Sequence, residues 1–411
     1  MNEQEETRQE KKSKLAVVKK VAIAGGGIGG LATAIALRKQ GIDAQIYERA
    51  RELRPVGAGL SLLPNGLKAL EGIEPGIVAR LKQAGSQGEI INLQNKSGET
   101  ILQNKSVLME KYGMPMLNIR WSRLQEILAS ALPPDIIHLN HRCIGFEQDR
   151  DRVTVNFENG KTAEADFLVG ADGINSAVRQ ILIGDGSPRY GGRMSWRAVI
   201  QYSHELLRAN EVILMTAVEG KNIALIDVGG GYIFWSAGAL SADDSSSGNA
   251  AAVKSRVSQE FAGWASPVPE IIEATDAEAI VERPIWDRPP VSSWSQGRVT
   301  LLGDAAHPMA PSLGQGASTA FEDARILALC IGSASSLESA IASYETARIE
   351  RTKIIQARSA FVGLRSYDPD SEKYFEEDFS GVAERAKVGN EEFEEWLYRY
   401  ECDAIGQTLA S

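Results

Sequence analysis

Residues 21–50 read VAIAGGGIGGLATAIALRKQGIDAQIYERA, and this stretch decides how the first part of the chain folds. The apolar run VAIA leads into Gly25, Gly27 and Gly30, which form a G-x-G-x-x-G pattern. Apolar residues at helical spacing follow, and a second apolar strand ends on Glu48, 18 residues after Gly30. This order of strand, glycine turn, helix and strand is typical of a Rossmann-like dinucleotide-binding unit.

Each glycine of the turn has its own physical task. The first permits a tight turn, the second lets a pyrophosphate approach the backbone, and the third allows the helix to pack closely on the strand. The helix N-terminus offers free N–H groups and partial positive charge to phosphates. A turn without a ligand and a membrane span are the alternatives, and five glycines within the uncharged run 21–37 argue against the span. The predicted contacts are Gly25, Gly27, Ile28, Gly29, Gly30 and Glu48.

Composition narrows the class of protein. The 411 residues leave room for two or three domains, and 43% hydrophobic and 24% charged residues are ordinary for a globular protein. A net charge of -10 argues against non-specific binding to nucleic acid or anionic membranes. The three cysteines lie far apart, and His138, His141 and Cys143 lack a fourth ligand, so we predict neither a disulfide framework nor a metal site. Residues 1–17 are predicted to be a disordered tail without a secretory signal, and we expect a cytoplasmic protein.

Two further junctions of strand and glycine turn lie downstream. The apolar run 167–169 enters Gly-Ala-Asp-Gly at 170–173, and a second apolar run enters Gly303-Asp304. Gly-Gln-Gly-Ala at 314–317 then opens a helix, which presents another positive dipole end. A carboxylate at the end of a strand, as at Asp304, can bind a sugar-chain hydroxyl, and helix capping is the alternative role. His307 lies beside a proline, where a packed side chain is a stronger interpretation than a catalytic base.

The segment 118–128 predicts a helix with an unusual first turn. Ser122 is a good N-cap residue, and Gln125 three positions later completes a capping box. Arg123 then lies in the first helical turn, an unfavourable place for a cation on dipole grounds. Pairing with a phosphate or a carboxylate would explain it, and a solvated arginine is the alternative.

Residues 187–284 change in character, because aromatic and alternating segments predict an inserted antiparallel sheet. Period two places Asn222, Ala224 and Ile226 on one face of a strand, and Tyr232 with Phe234 on one face of the next. Arg197 is able to bind a carboxylate, although a structural ion pair is an equal alternative.

The three glycine motifs together resemble the single-component FAD-dependent monooxygenases of the aromatic hydroxylase (para-hydroxybenzoate hydroxylase-like) superfamily. The resemblance spans residues 18–365 and is close to salicylate-hydroxylase-like, urate-hydroxylase-like and zeaxanthin-epoxidase-like members. The run Arg-Pro-Ile-Trp-Asp-Arg at 283–288 is similar to all three.

The resemblance implies an α/β fold: a Rossmann-like FAD-binding domain with an inserted antiparallel β-sheet substrate domain and C-terminal helices. The expected boundaries are 1–17 for the tail, 18–85, 106–186 and 285–340 for the discontinuous FAD-binding domain, 86–105 and 187–284 for the substrate domain, and 341–411 for the C-terminal helices.

The resemblance also implies which residues contact FAD. The glycine loop and Glu48 hold the ADP half. The family has Arg-x-x-Leu at a helix start, and counting back from Leu124 places Trp121 there, so Arg120 and Arg123 on either side are both candidates. The further implied cofactor contacts are Arg49, Ser61, Asp172 of a motif shared by FAD and the nicotinamide cofactor, Asp304 at the ribityl chain, and Pro311, Gly314, Gln315, Gly316 and Ala317 at the flavin ring. The implied substrate pocket contains Asn222, Phe234, Pro311 and Ser312.

The implied chemistry uses FAD, with NADPH or NADH and O2 as co-substrates, to hydroxylate or epoxidise an aromatic or isoprenoid small molecule through a flavin C4a-hydroperoxide. His307 and Arg197 are the catalytic candidates, and neither is convincing as a base. We expect a monomer or homodimer without a nucleic-acid partner or an integral membrane segment. An FAD-dependent reductase or dehydrogenase of the same fold and a non-enzymatic flavin-binding protein are alternatives. A halogenase is disfavoured because its Trp-x-Trp-x-Ile-Pro run is absent.

Overall fold

The computed structural model describes residues 17–53, 58–246, 248–364, 375–376 and 378–405. The predicted disordered tail lies outside the described residues except for Val17. Within the described part of the chain, no helix combines the length and the apolar character that crossing a bilayer requires.

The strands are β1 (Lys20–Ala24), β2 (Asp43–Tyr47), β3 (Gly59–Leu62), β4 (Ser86–Gln87), β5 (Ile90–Asn95), β6 (Thr100–Lys105), β7 (Leu117–Arg120), β8 (Ile137–His138), β9 (Cys143–Gln148), β10 (Val153–Phe157), β11 (Thr162–Ala165), β12 (Phe167–Gly170), β13 (Arg189–Gln201), β14 (Glu211–Thr216), β15 (Asn222–Asp227), β16 (Tyr232–Leu240), β17 (Val281–Asp287), β18 (Ser295–Gln296) and β19 (Val299–Leu301).

The helices are α1 (Ile28–Lys39), α2 (Pro64–Ile73), α3 (Ile77–Ala84), α4 (Leu108–Tyr112), α5 (Trp121–Ala129), α6 (Ala177–Leu182), α7 (Ala250–Glu260), α8 (Val268–Ala274), α9 (Gly316–Ser333), α10 (Leu337–Leu364), α11 (Ala383–Lys387) and α12 (Asn390–Tyr398). Short 3₁₀ turns occupy Pro134–Ile136, Ala277–Ala279, Gly303–Ala305 and Pro311–Leu313.

The six-stranded sheet explains why three distant motifs meet. Its order is β18-β19-β12-β1-β2-β8, and β1 runs parallel to both β2 and β12 while β12 runs parallel to β19. In the register, Ala24 lies opposite Gly170, which lies opposite Leu301. The carboxyl ends of these strands therefore bring the glycine loop, Asp172 and Asp304 to one edge of the sheet, where ligands bind in open α/β folds. The predicted α/β fold with a Rossmann-like unit is confirmed.

The inserted sheet has seven strands in the order β17-β13-β16-β15-β14-β5-β6. Its neighbouring strands are antiparallel, as predicted, at every pair except β14 and β5, which run parallel. The reason is the entry of the β5–β6 hairpin, because both Glu89 and Ile90 donate backbone N–H groups to the Asn210 carbonyl, at 2.9 and 3.2 Å, just before β14 begins.

The two faces of the inserted sheet are covered differently. On one face, Trp196 and Trp235 are buried with apolar residues of α7 and α8 in a separate core. The opposite face is turned toward the three-stranded sheet β3-β7-β4, since Phe234 from this face packs against Gly59 of β3. This second face provides one wall of the candidate active site.

Candidate active site

The glycine loop has the three local environments that its spacing predicts. Gly25 has φ +112°, and a Cβ there would lie 2.3 Å from the Ala171 carbonyl oxygen. A Cβ on Gly30 would lie 2.0 Å from the Gly25 carbonyl oxygen, so this glycine permits close packing of α1. Gly27, by contrast, caps α1 and has nothing within 4 Å of an added Cβ. The loop is closed where it meets protein and open where a pyrophosphate would approach.

Glu48 lies at the end of β2 and holds this loop from the side. Its Oε2 accepts from the Gly26 N–H at 2.6 Å, and its Oε1 accepts from the Ala50 N–H at 2.8 Å. Gln125 of α5 adds a third restraint, since its Nε2 donates to the Gly26 carbonyl at 3.1 Å. Each carboxylate oxygen has one lone pair left for a ribose hydroxyl. Arg49 is exposed beside Glu48.

The start of α5 differs from its prediction. Arg120 is the N-cap residue and Trp121 begins the helix, so Ser122 lies inside the first turn and makes no capping bond. The predicted capping box was therefore wrong, because Gln125 is used by the glycine loop. Arg123 is in the first turn but points outward, with its side chain 46% exposed and an ion pair to Glu126 at 3.0 Å.

Arg120 is the better placed of the two candidate arginines. Its guanidinium carbon lies 4.1 Å from the centre of the Tyr232 ring, and its Nε is buried without a hydrogen-bond partner among the described residues. It therefore sits between the end of β7 and the inserted sheet. A buried donor without a partner costs stability unless a ligand supplies an acceptor.

Both carboxylate oxygens of Asp172 accept hydrogen bonds from neighbouring residues of the chain. Ser176 Oγ donates to its Oδ1, and the Ala177 N–H donates to its Oδ2 at 2.8 Å. Burial raises the pKa of this carboxyl group, while these hydrogen bonds act in the opposite direction. The residue fixes the turn before α6 and keeps its backbone against Gly25, whose added Cβ would lie 3.1 Å from the Asp172 Cα. Its contribution to the site is the shape of the turn.

Asp304 is the open carboxylate of the site. The surrounding protein raises its pKa by desolvation, yet the side chain itself is exposed and accepts no hydrogen bond from the described residues. Asp304 is surrounded by protein but its side chain remains accessible, so it faces a recess in the fold. The N-terminus of α9 borders the recess, because a Cβ on Gly316 would lie 3.8 Å from Asp304 Oδ1. The capping role considered for Asp304 is not observed.

Several buried polar atoms beside this recess lack partners within the described residues. Asn65 Nδ2 donates to Gln315 Oε1 at 2.9 Å and to Glu322 Oε1 at 2.7 Å, which leaves Asn65 Oδ1 and Gln315 Nε2 without partners. Ser61 donates to Asn118 Oδ1 at 2.7 Å, and Asn118 Nδ2 is likewise unpartnered. Unsatisfied buried amides are uncommon in native proteins. Together with the open space at Gly27 and the free Asp304, they fit an extended ligand with hydrogen-bonding edges, such as FAD.

The loop before α9 carries the residues that were predicted at the flavin ring. Pro311–Leu313 form a 3₁₀ turn, and Gly314 has φ +62°, a conformation that favours glycine. Gln315 is buried, and Gly316 and Ala317 begin α9. The N-terminus of this 18-residue helix directs free N–H groups and positive dipole toward the recess.

His307 does not face this recess. It is 1% exposed, its Nε2 lies 2.5 Å from Asp323 Oδ2, and its Nδ1 is buried without a described partner. Asp323 also accepts from the Gly303 N–H at 3.1 Å and from Arg348 Nε at 2.7 Å. Arg348 further binds Glu322, which makes a fully buried ion network between α9 and α10. A packed structural role, the stronger interpretation from the sequence, matches this position, and the arrangement gives no support to His307 as a base.

A cavity of about 600 Å³ separates the loop at Pro311 and Ser312 from the inserted sheet. Its sheet wall includes Leu93, Leu214 and Ala224, and its opposite wall includes Ala360, Val362 and Gly363 at the end of α10. Asn222, Pro311 and Ser312, all expected at the pocket, line it. Phe234 is outside this lining, 8% exposed and packed between Gly59 and the apolar end of the sheet.

Strand register organises the cavity face of the sheet into three rows, since residues opposite one another share a face. The apolar row contains Ile91, Val212, Ile226, Phe234 and Val199. The middle row contains Leu102, Leu93, Leu214, Ala224, Ser236 and Arg197. The polar row contains Thr216, Asn222, Gly238, Ser195 and Arg283.

Arg197 ends the middle row without an acid beside it. It makes no hydrogen bond or ion pair with another described residue, and its Nε is buried. Burial and the charge of Arg283 lower its pKa. The structural ion pair that we considered for Arg197 is thus not seen among the described residues, and its neighbours in the row, Ser236 and Ala224, line the cavity.

Sequence reasoning missed several cavity residues. Arg193 lines the cavity, and a Cβ on Gly238 would lie 2.9 Å from Arg193 Nη2 and 2.7 Å from Asn222 Oδ1. Arg193 of β13 and Asn222 of β15 therefore meet over Gly238 of the strand between them, and Arg193 brings a cation to this part of the cavity. The signal was available, because Arg193 and Arg197 are four residues apart and share a face of β13. The contribution from α10 had no sequence signal, since it depends on how that helix crosses the loop.

Comparison with known proteins agrees with this geometry. Residues 19–360 match the family described as FAD binding domain. The chain is similar to the aurachin C monooxygenase/isomerase of Stigmatella aurantiaca, with 38% identity over 84% of this chain and 88% of that protein. It is similar to the FAD-dependent urate hydroxylase of Klebsiella pneumoniae, with 32% identity over 82% and 88% of the two chains. The structure of Klebsiella pneumoniae HpxO complexed with FAD and uric acid superposes with a TM-score of 0.80, 27% identity and coverage of 95% and 96%.

Proposed function

The chain belongs to the FAD-dependent monooxygenases of the aromatic hydroxylase superfamily, and from this premise we propose that it uses NADPH or NADH and O2 to hydroxylate or epoxidise an aromatic or isoprenoid small molecule. The observation that carries the proposal is the cavity of about 600 Å³ between the loop at Pro311 and the inserted sheet. Its walls are mainly apolar, and a few polar groups, including Asn222 and Ser236, project from the sheet. Enclosed apolar pockets with few polar groups are typical of small-molecule sites.

We assign the FAD contacts from the open positions of the site. The Gly27 turn and the N-terminus of α1 bind the pyrophosphate, and Glu48 binds the ribose. Asp304 accepts from a ribityl hydroxyl, and the start of α9 stabilises negative charge on the flavin ring. When bound and reduced by the nicotinamide cofactor, FAD supplies the transfer of one oxygen atom from O2 to the substrate.

The protein's own residues exclude water and orient the substrate. Pro311 and Ala360 close the cavity with groups that offer no proton, which protects a reactive oxygen donor from premature decay. Arg197 is proposed to hold an anionic oxygen of the substrate, such as a phenolate, because it is half-buried without a described acid partner. It would stabilise the deprotonated, electron-rich form and so replace a dedicated base.

Oxygen uptake tests the proposal directly. The purified holoenzyme is mixed with NADPH or NADH and screened against phenols, purines and carotenoids. We expect a yellow protein and substrate-stimulated nicotinamide oxidation with one O2 consumed per product. Turnover without oxygen consumption would identify a reductase or dehydrogenase instead. Binding of FAD without nicotinamide oxidation under any condition would identify a non-enzymatic flavoprotein.

The variants Arg197→Lys and Arg197→Met distinguish a role of Arg197 in substrate binding from a role in folding. If Arg197 holds a phenolate, Met lowers the affinity for phenols about tenfold or more, and Lys recovers part of it, because a charged hydrogen bond contributes about 1.5–3 kcal/mol. Both variants should keep FAD, since Arg197 lies on the sheet rather than at the glycine loop. An unchanged phenol affinity in Arg197→Met would reject the assignment.

A further inference from the structure

Exposed apolar side chains are concentrated at the free edge of the inserted sheet. Among the large apolar residues that the described chain exposes, Ile101 is 59% and Leu102 is 51% exposed, both on β6, and Val107 and Met109 follow at 54% and 52%. β6 is the last strand of the seven and has a neighbour on one side only. Contiguous exposed apolar groups on a soluble fold mark a contact surface for another molecule.

The register of β6 connects this edge to the cavity. Leu102 lies opposite Leu93, and the next pair is Thr100 with Gln94, so a β-bulge inserts Ile101 at this point. Two exposed apolar residues thus stand against Leu93, which lines the cavity. The bulge is the reason that the apolar surface is broader than one side chain per strand.

The middle row continues inward without a charged residue until Arg197. Leu93 lies opposite Leu214, and Leu214 lies opposite Ala224, and all three line the cavity. On β6, the positions turned to the other face of the sheet are Gln103 and Lys105, which are polar. On the cavity face, apolar side chains therefore extend from Leu214 and Leu93 to Leu102 at the edge of the sheet.

We propose that this row from Leu214 through Leu93 to Leu102 and Ile101 binds an apolar chain attached to the substrate, while the reacting ring lies between Pro311 and the sheet. The inference rests on the proposed function and narrows its substrate class to amphiphilic molecules, with an electron-rich ring at one end and an alkyl or isoprenoid chain at the other. A chain is favoured over a larger ring system because the row crosses β14, β5 and β6 from the cavity to the open edge of the sheet.

Two phenols that differ only in chain length test this inference. 4-Ethylphenol and 4-hexylphenol are titrated into the FAD holoenzyme, and binding is followed by the change in flavin absorbance. Burying a methylene contributes about 0.8 kcal/mol, close to fourfold in affinity. With four additional methylenes on a half-exposed row, we expect 4-hexylphenol to bind at least about tenfold more tightly.

Leu102→Glu and Gln103→Glu provide a matched pair of variants. Both introduce the same charge at adjacent positions of β6, but only position 102 lies on the cavity face. We expect Leu102→Glu to abolish most of the advantage of 4-hexylphenol without changing 4-ethylphenol binding, and Gln103→Glu to preserve it. Equal affinities for the two phenols, failure of both to bind, or equal effects of the two variants would overturn the inference.

The outcomes also separate this inference from the proposed function. If binding depends on chain length but no substrate stimulates oxygen uptake, the chain-binding row from Leu214 to Ile101 is retained and the monooxygenase function is rejected. If short phenols are turned over and chain length has no effect, the monooxygenase function is retained and the chain-binding role of the row is rejected. Leu102-dependent sedimentation of the holoenzyme with phosphatidylcholine vesicles, with no difference between the two phenols, would assign the patch to a membrane surface and reject the substrate chain.

Discussion

Asp304 is a desolvated carboxylate whose charge is offset only in part, by His307. Its pKa is raised by desolvation, and among the described residues no donor reaches the carboxylate. A raised pKa in the folded state means that stability is fully present below the unfolded pKa and is lost as pH rises through the folded value. At neutral pH the apoprotein therefore bears the cost of an ionised Asp304, which a ligand hydroxyl would offset.

Asp304→Asn should separate stability from binding. The apoprotein is expected to melt at a higher temperature than wild type at pH 7, because the desolvated charge is gone. FAD is expected to bind about tenfold or more weakly, since a hydrogen bond to a charged group contributes about 1.5–3 kcal/mol. Differential scanning calorimetry of the apoprotein and fluorescence titration of FAD measure the two effects. A lower melting temperature with unchanged FAD affinity would show a structural capping role.

Glu48 differs from Asp304 because it already accepts two backbone N–H groups. Glu48→Ala is expected to weaken FAD binding about tenfold or more and to cost about 1–3 kcal/mol of stability, since the Gly26 and Ala50 donors lose an acceptor. The chain should still fold. Asp43→Ala is the control, because it removes an exposed acid from the same strand. FAD retained by Glu48→Ala as tightly as by Asp43→Ala would disprove the ribose assignment.

At the scale of elements, α1 follows β1 through a loop in which Gly30 is tightly packed and Gly27 has free space beside it. Gly30 is in contact with the Gly25 carbonyl, so any side chain forces the helix away from the strand. Gly27 has normal helical-entry geometry, with φ -69° and ψ 175°, and free space beside it. One position is constrained by protein packing, and the other is left free for a ligand.

Alanine at these two glycines should give opposite results. Gly30→Ala is expected to destabilise the protein by about 1–3 kcal/mol or more through overpacking. Gly27→Ala is expected to melt like wild type as apoprotein but to lose most of its FAD affinity, because the methyl group occupies the pyrophosphate approach. Urea unfolding and FAD titration of both variants provide the comparison. Tight FAD binding by Gly27→Ala would place the pyrophosphate elsewhere.

At the scale of the whole molecule, a buried ion network connects α9 to α10 and to the C-terminal segment. Glu322 and Asp323 of α9 pair with Arg348, and Glu322 also binds Arg351 at 2.7 Å. Arg351 in turn donates to the Leu397 carbonyl at 2.9 Å and lies 3.7 Å from the centre of the Tyr400 ring. Contacts with the C-terminal segment therefore hold α10 in position, and the last turns of α10 form a wall of the cavity.

The network predicts sensitivity to acid. Burial alone would raise the pKa of Asp323, but the charges of His307 and Arg348 hold it at about 2. A depressed folded pKa contributes stability that is present above the unfolded value near 4 and is lost as pH falls from about 4 to about 2. Asp323→Asn should lower stability at pH 7 by about 3–5 kcal/mol, because it leaves buried charges unpaired.

Urea unfolding at pH 7, 4 and 3 checks the acid dependence. Wild type should lose stability between pH 4 and pH 3, and Asp323→Asn should lack the share that this carboxylate contributes. Glu205→Gln, at an exposed position between β13 and β14, is the control and should follow the wild-type profile in this range. An identical pH profile in Asp323→Asn and wild type would show that other carboxylates dominate the acid transition.

The sequence by itself determined the Rossmann-like unit, the order of the three glycine motifs and the superfamily. The reason is that each of these depends on local backbone requirements, such as a turn that only Gly25 can make or a carboxylate placed where a strand ends. The same locality explains why Glu48, Asp304 and Pro311–Ser312 could be chosen as candidates before the structure was known.

Only the tertiary structure decided which residues line the cavity together and which make structural contacts in other parts of the fold. Strand register, which is non-local, brought Arg193 beside Asn222 and aligned Leu102 with Leu93. Packing of α10 placed His307 in an ion network, and the glycine loop took Gln125 away from the predicted capping box. These outcomes depend on partners distant in the chain, and no local pattern contains them.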